Sequence, residues 1–333
     1  MTNFDCIHKA EFLPDQWDVL ADNYFQRTKF LWHTERFNPC SQRYFLCYDS
    51  DRLVAAAIVY TLHLDLFTFA GIKSPLKMNI VGVPCSVSGS GIFGEKHAVE
   101  LLKTHIYDTV KGFVLSLNLS EKPLSNKNAA GKTLPSIELV NRFEDWRDYK
   151  ASLRSGYRRR LVKINQENGD VQFKKLKCPE FNSGMYQQYL NVYNRSHGKL
   201  EKLNHDFFKN LPSEFNLTVC MKEGKIIGWN IGLEDNDVYY FFLGGIDYTQ
   251  NKISNTYLRL LSGIVKDGIE NKARLIDLGQ TAETAKMRMG GKIKPLYMEA
   301  HHSTRFINYL LKVFRPLLEY RKVLEKTKAL KEV

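Results

Sequence analysis

The 333-residue sequence has no hydrophobic run long enough to cross a bilayer: the longest, Leu53–Tyr60, falls well short of the ~20 residues a spanning helix needs. Its N-terminus, MTNFDCIHKAEFLPDQW, has no apolar core and carries acidic residues early, which argues against a secretory leader; a soluble, cytoplasmic protein is expected. Cysteine is sparse. The six residues Cys6, Cys40, Cys47, Cys85, Cys178 and Cys220 are scattered, without a CxxC pair or a Cys/His cluster at metal-ligand spacing. Reduced, mostly buried thiols are expected, with no metal and no redox cofactor. There is no helix-turn-helix motif, so DNA is not an expected partner. The Gly/Ser-rich stretch VGVPCSVSGSGIFG, Val81–Gly94, has neither Walker nor Rossmann spacing. Nothing in the sequence orients Cys85 and His97 as a nucleophile and its base, and His197, His205, His301 and His302 have no assigned role.

What the sequence does have is concentrated positive charge. Lys150–Lys177 carries nine Lys/Arg against two Asp/Glu, and Ser303–Val333 eight against three; together they account for the net charge of +12. The first block contains SLRSGYRRRLVKIN, residues 152–165, in which Leu153, Tyr157, Leu161 and Ile164 recur at helical spacing and Arg154, Arg158, Arg159, Arg160 and Lys163 fill the other faces. An amphipathic helix with a basic face is predicted, its first turn weakened by Ser155 and Gly156. Such a field suits phosphates or another polyanion. Apart from Tyr157 no aromatics are interleaved, so base-specific reading of a nucleic acid is not indicated. The second block predicts a basic amphipathic helix kinked at Pro316, docked on the body or on a membrane surface or RNA.

The sequence also repeats itself. Tyr44–Ile72 and Leu217–Ile246 each read as a three-strand meander, with Arg52 or Lys225 ending the first turn and Phe-Ala-Gly-Ile or Leu-Gly-Gly-Ile closing the third strand. Each is preceded by two helices, Pro14–Phe25 and Phe30–Arg36 in the first half and Met185–Arg195 and His205–Leu211 in the second. Each is followed by a helix, around Glu95–Val110 or Asn255–Asn271, and a buried strand, GFVLSLNL or ARLIDLG. A duplicated α/β domain is predicted, each copy a mixed, mostly antiparallel sheet flanked by helices, with boundaries at 1–144 and 145–302 and a basic tail over 303–333.

This order of elements resembles the GNAT acyltransferase fold. Duplicated, with a basic helix leading the second copy, it is similar to the FemAB-like branch, which includes aminoacyl-tRNA-dependent transferases of peptidoglycan cross-bridges. LIDLGQTAETAKMRMGGKIKPLYME, Leu275–Glu299, resembles the end of FemAB-like and BioF2-like domains: a strand ending in Asp-x-Gly, a loop, a helix with Lys, and a last strand. In two respects the sequence departs from the pattern. The glycine-rich turn that holds the pyrophosphate of acyl-CoA is replaced by DYTQNKISNTYLRLL, Asp247–Leu261, which has no glycine, and the helix over 282–289 lacks the tyrosine often offered to the leaving thiolate.

By this resemblance Lys286 stabilises charge at the reacting carbonyl or leaving oxygen. Asp277, ending a buried strand, is expected to pair with Lys286, take the amine proton or cap the next turn, and Gln280 to bond an acyl or amide group or close the turn. Arg288 faces elsewhere. Gly244 and Gly245 admit a donor arm or mark a bulge, Asp247 and Tyr248 stand at the cleft, and Asn255 caps a helix or meets an anion there. Arg154, Arg158 and Arg159 are candidate contacts for an anionic substrate. The expected activity is an N-acyltransferase moving an acyl group from acyl-CoA to an amine of a small or peptide-like acceptor. Two alternatives remain: aminoacyl transfer from aminoacyl-tRNA, favoured by the missing pyrophosphate turn and the basic helix, and a degenerate, non-catalytic binding protein.

Overall fold

The protein is described by a computed structural model covering residues 2–71, 75–85, 88–123, 127–166, 171–196, 199–325 and 327–331; His197 lies outside these. In chain order the first half contains β1 (Thr2–Ile7), α1 (Asp15–Leu20), α2 (Thr28–Phe37), β2 (Arg43–Asp49), β3 (Arg52–Asp65), β4 (Pro75–Val81), β5 (Ile92–Gly94), α3 (Lys96–Thr109), β6 (Phe113–Leu119), β7 (Ala129–Lys132) and β8 (Ser136–Val140). The second contains α4 (Trp146–Ser152), α5 (Ser155–Gln166), β9 (Val171–Leu176), α6 (Ser183–Arg195), α7 (His205–Lys209), β10 (Phe215–Lys222), β11 (Lys225–Asp235), β12 (Val238–Ile246), α8 (Tyr248–Ser254), α9 (Thr256–Glu270), β13 (Leu275–Asp277), α10 (Glu283–Arg288), β14 (Lys292–Lys294), β15 (Tyr297–His302), α11 (Arg305–Val313) and α12 (Arg315–Leu318).

These elements form two units, each built on one sheet, and the units are not the contiguous blocks 1–144, 145–302 and 303–333 expected from the sequence. The first comprises 1–135, 197–207 and 295–322, the second 136–196, 208–294 and 323–333. The reason lies in strand pairing. The first sheet runs β1-β2-β3-β4-β6-β15-β7, with β5 also on β3; the second runs β9-β10-β11-β12-β13-β8-β14. Both follow one plan: an antiparallel meander, a parallel partner for its last strand (β6 on β4, β13 on β12), then one inserted strand and an edge strand. The inserted strand comes from the other copy of the repeat. Thus β15 pairs with β6 and β7, and β8 pairs with β13 and β14.

In the first unit β3 is buried over Leu53–Tyr60, which explains its unbroken apolar run. One sheet face meets α3, whose Ala98, Leu102 and Ile106 share a helical stripe; the other meets Leu311 and Leu318 of α11 and α12. The meander departs from the expected register. Its third strand is Pro75–Val81, while the residues before Gly71 form a turn, with Gly71 at φ +72°. Ile72 lies outside the described residues. The tail departs as well: it is helical only to Leu318, broken at Phe314 before Pro316, and the described residues from Glu319 on have no regular secondary structure apart from the bridge of Leu330 to Leu153.

In the second unit α9 lies on the sheet through Leu261, Ile264, Val265 and Ile269, close enough that a Cβ on Gly268 would stand 2.7 Å from Ile276. The basic helix begins at Ser155, so Leu153 and Arg154 form a break between α4 and α5. Leu153, Tyr157 and Leu161 still pack with Leu261 and Tyr257, leaving Arg159, Arg160 and Lys163 exposed.

Gly245 sits opposite Trp229, and a Cβ there would lie 2.4 Å from the indole nitrogen. Gly245→Ala is expected to lower unfolding free energy by roughly 1–3 kcal/mol through overpacking. Gly156→Ala, in a helix with nothing within 4 Å, is expected to raise it by about 0.5–1 kcal/mol. Urea titration of the two variants checks both signs.

Candidate active site

The parallel pairing of β12 with β13 extends only from Val238–Leu275 to Tyr240–Asp277; beyond it β12 continues to Ile246 without this partner. This leaves a wedge beside β12 that the loop after β13 fills, a Cβ on Gly279 standing 3.6 Å from Phe241 O and 3.9 Å from Lys286 Nζ. Gly279, Thr281 and Ala282 all have positive φ, the last two without being glycine, so the loop holds backbone strain. It is held in place from β8. Ser136 Oγ donates to Asp277 Oδ1 at 2.8 Å, Gly279 N donates to the same oxygen at 2.8 Å, and Ile137 N donates to Gly279 O at 3.2 Å. Asp277 therefore caps the turn.

The coil delivers Lys286 into the unit's interior. Its side chain is 3% exposed, its Nζ donates to Gln280 O at 2.6 Å, and it lies 5.7 Å from the Phe241 ring centroid. Burial pulls the ammonium down to about 7, against the opposing pull of the Asp277 and Glu283 carboxylates. A lysine that exchanges its proton near neutrality, among buried carboxylates, suits proton transfer. Gln280 takes part through its carbonyl. Arg288 is exposed.

Glu283, buried one turn before Lys286, was not singled out from the sequence, although the Glu-x-x-Lys spacing puts both on one helix face. Tyr257, on α9, was also missed. Burial raises its hydroxyl pKa, and the nearby Tyr248 and Glu283 raise it further, so a tyrosine does stand near Glu283, supplied by another helix.

The remaining candidates play other parts. A Cβ on Gly245 would meet the Trp229 indole, and one on Gly244 would lie 3.0 Å from the Trp229 carbonyl oxygen. Asp247 caps α8, Oδ1 accepting from the Thr249 and Gln250 amides, and Tyr248 lies under the Arg195 guanidinium at 3.7 Å. Asn255 occupies the position before α9 in a left-handed conformation and makes no side-chain cap; instead Asn251 Oδ1 accepts from Tyr257 N at 2.8 Å. The glycine-free stretch is thus a short helix, α8, leading directly into α9. Arg154 and Arg159 are exposed, and half-buried Arg158 reaches Ala151 O at 3.4 Å. Arg259 Nη1 joins α9 to the basic helix through Asn165 O at 3.3 Å. Among the described residues no His/Cys/Asp/Glu group could hold a metal ion.

Residues 151–287 match the family model of the acetyltransferase (GNAT) domain. No curated protein matches the chain in sequence. Among solved structures the fold is similar to FemX (TM-score 0.55, 9% identity, covering 92% of this chain and 99% of FemX). It is also similar to the C-terminal DUF2156 domain described as from a lysylphosphatidylglycerol synthetase of Agrobacterium fabrum (0.53, 11%, 88% and 94%). A third is L-PGS from Bacillus licheniformis (0.50, 12%, 86% and 94%). At these identities the likeness is one of fold.

Because its pKa is lowered on folding, Lys286 costs stability wherever the unfolded chain would hold the proton and the folded one gives it up or holds it buried. The cost is largest below about pH 7 and fades as pH rises toward the ordinary lysine value of 10.5. Lys286→Met is expected to raise the melting temperature at pH 6, the gap to wild type narrowing by pH 10. Calorimetric melts across that range check the sign.

Proposed function

We propose that this chain, a tandem GNAT-fold protein whose second unit carries the acetyltransferase domain, transfers an aminoacyl group from aminoacyl-tRNA to a primary amine, with Lys286 as the proton-transfer group. The carrying observation is the buried lysine brought to about 7 at the end of the β12–β13 wedge. The acceptor nitrogen attacks the ester carbonyl, a C–N bond forms, the C–O bond to the ribose breaks, and one proton leaves the nitrogen for the departing oxygen. A lysine near half-protonation at neutral pH can take that proton as the amine and return it as the ammonium. Gln280 O holds Nζ in position, and the Phe241 face favours its charged form.

The choice of donor rests on α8. In its place an acyl-CoA cradle would need free backbone amides, whereas Asp247 caps the start of α8 and Asn251 binds the Tyr257 amide of α9. The exposed cations of α5, packed in the same core as Met287, give an RNA backbone a surface to meet. The GNAT domain match favours the second reading, an acyl-CoA N-acyltransferase acting on a small or peptide-like amine.

Filter binding across a salt series is expected to give tighter binding of charged than of deacylated tRNA, and a slope of log K against log salt that falls by about two in Arg158→Ala/Arg159→Ala. Acetyl-CoA binding by calorimetry without tRNA affinity would replace this donor with acyl-CoA. Lys286→Ala is expected to reduce turnover by about 10²–10⁴ with an unchanged far-UV spectrum; undiminished turnover would remove Lys286 from the chemistry.

A further inference from the structure

The first unit carries an unpartnered apolar helix face beside a cationic pocket, and neither belongs to the wedge around Lys286. On α11 and α12, Phe306 is 68% exposed, Tyr309 62%, Val313 52%, Phe314 46% and Leu317 39%. A soluble surface seldom presents five large apolar side chains within one stretch of helix. The opposite face of α11 is accounted for, since Leu311 is buried in the core. Along the exposed arc the apolar side chains are bordered by Arg305, Lys312 and Arg315, and no Asp or Glu occurs from His301 to Leu318.

The pocket lies next to the start of this helix. Its cavity of about 650 Å³ is lined by His8, Arg43, Lys77 and Lys111, among other residues, and no carboxylate is among them. Asn79 organises its floor: Oδ1 accepts from Arg43 Nη2 at 2.7 Å, and Nδ2 donates to the carbonyls of Lys111 and Phe113. Among the described residues, Lys77 and Lys111 have no acidic partner within 4 Å. Two contacts join the pocket to α11. Gly112, in its lining, exchanges hydrogen bonds with Ser303, and Phe113 packs edge-on against His302 at 4.4 Å, both just before the helix begins. The pocket opens at the N-terminal end of the parallel β4–β6 pair, whereas Lys286 serves the C-terminal end of the corresponding pair in the second unit.

We propose that α11, α12 and this pocket form a docking surface for an anionic lipid bilayer, the apolar face entering the interface and the pocket receiving a phosphate headgroup. Positive charge bordering exposed aromatic and aliphatic side chains, with no acidic residue to repel the surface, is the chemistry such a bilayer selects. No helix among the described residues is long and apolar enough to span a membrane, so the association is peripheral. The inference is independent of the transfer reaction.

The test is cosedimentation of the full chain with vesicles of phosphatidylcholine alone and of phosphatidylcholine mixed with phosphatidylglycerol. Wild type is expected to pellet with the mixed vesicles and to be released by salt. Phe306→Ser/Tyr309→Ser/Val313→Ser is expected to lose at least about tenfold in partition, and Lys77→Ser/Lys111→Ser to lose most of the preference for the anionic mixture. All these side chains are exposed, and wild-type melting curves for both variants would exclude misfolding. Wild type remaining in the supernatant overturns the proposal. So does a dimer on sedimentation that the triple variant abolishes without any vesicle binding, since the face would then join two copies. Calorimetric binding of inorganic phosphate at the pocket, without vesicle binding, likewise overturns it.

Discussion

The inserted strand is the constraint on which the rest of this structure depends. β13 is three residues long and could not hold its place with β12 alone. It is fixed because β8, from the first copy of the repeat, lies along its other edge. The same strand brings Ser136 to Asp277 and the Ile137 backbone to Leu278 and Gly279. Those bonds, with the Lys286 Nζ bond to Gln280 O and the Ala285 and Lys286 amides on Ala282 O, hold the turn in which Thr281 and Ala282 adopt the left-handed conformation. The first sheet receives β15 in the corresponding place, so neither copy completes a sheet from its own residues. The exchange covers the free edges of β6 and β13 and leaves the short strands β7 and β14 at the sheet edges instead.

Lys286 shows what that frame makes possible. Taking an ammonium out of water is costly, and here the carbonyl of Gln280, the face of Phe241 and the fields of Asp277 and Glu283 offset only part of the cost. The imbalance sets where the group titrates. A fully compensated lysine would keep its proton at neutral pH, and an uncompensated one would rarely be charged. The position between them follows from burial, opposed by the two nearby carboxylates of Asp277 and Glu283.

Much of this could be read from the sequence, and what could not has a common cause. The duplication, the buried strands and the helix bearing Lys286 are local patterns of spacing, and they occur where expected. The exchange of β8 and β15 depends on pairing between residues more than a hundred positions apart, which no local periodicity reports. The first meander was misread because Phe69-Ala70-Gly71 imitates a strand end, whereas Gly71 closes a turn and the strand starts at Pro75. The helix over 282–289 has no tyrosine, as its sequence shows, whereas the fold brings Tyr257 near Glu283 from α9, a proximity that no spacing along the chain reports.

The two copies also show how one plan yields two kinds of buried lysine. Val81–Ser116 and Tyr240–Asp277 are the last steps of the two parallel pairs, so Ser116 stands where the second unit has Asp277. In the first unit Ser116 binds the Tyr107 hydroxyl, and Lys103, almost fully buried, is ion-paired with Glu299 at 3.2 Å and Glu100 at 2.9 Å. Glu299 is itself held by Asn128 at 2.9 Å. That lysine ties α3 to β15 as part of the framework. In the second unit the buried lysine stands instead on α10, the short helix that follows a strained turn, its nearest described acceptor is a carbonyl, and burial lowers its pKa. The difference between these two buried lysines is the number of carboxylates within bonding reach, set by which element supplies the lysine rather than by the sheet plan that both units follow.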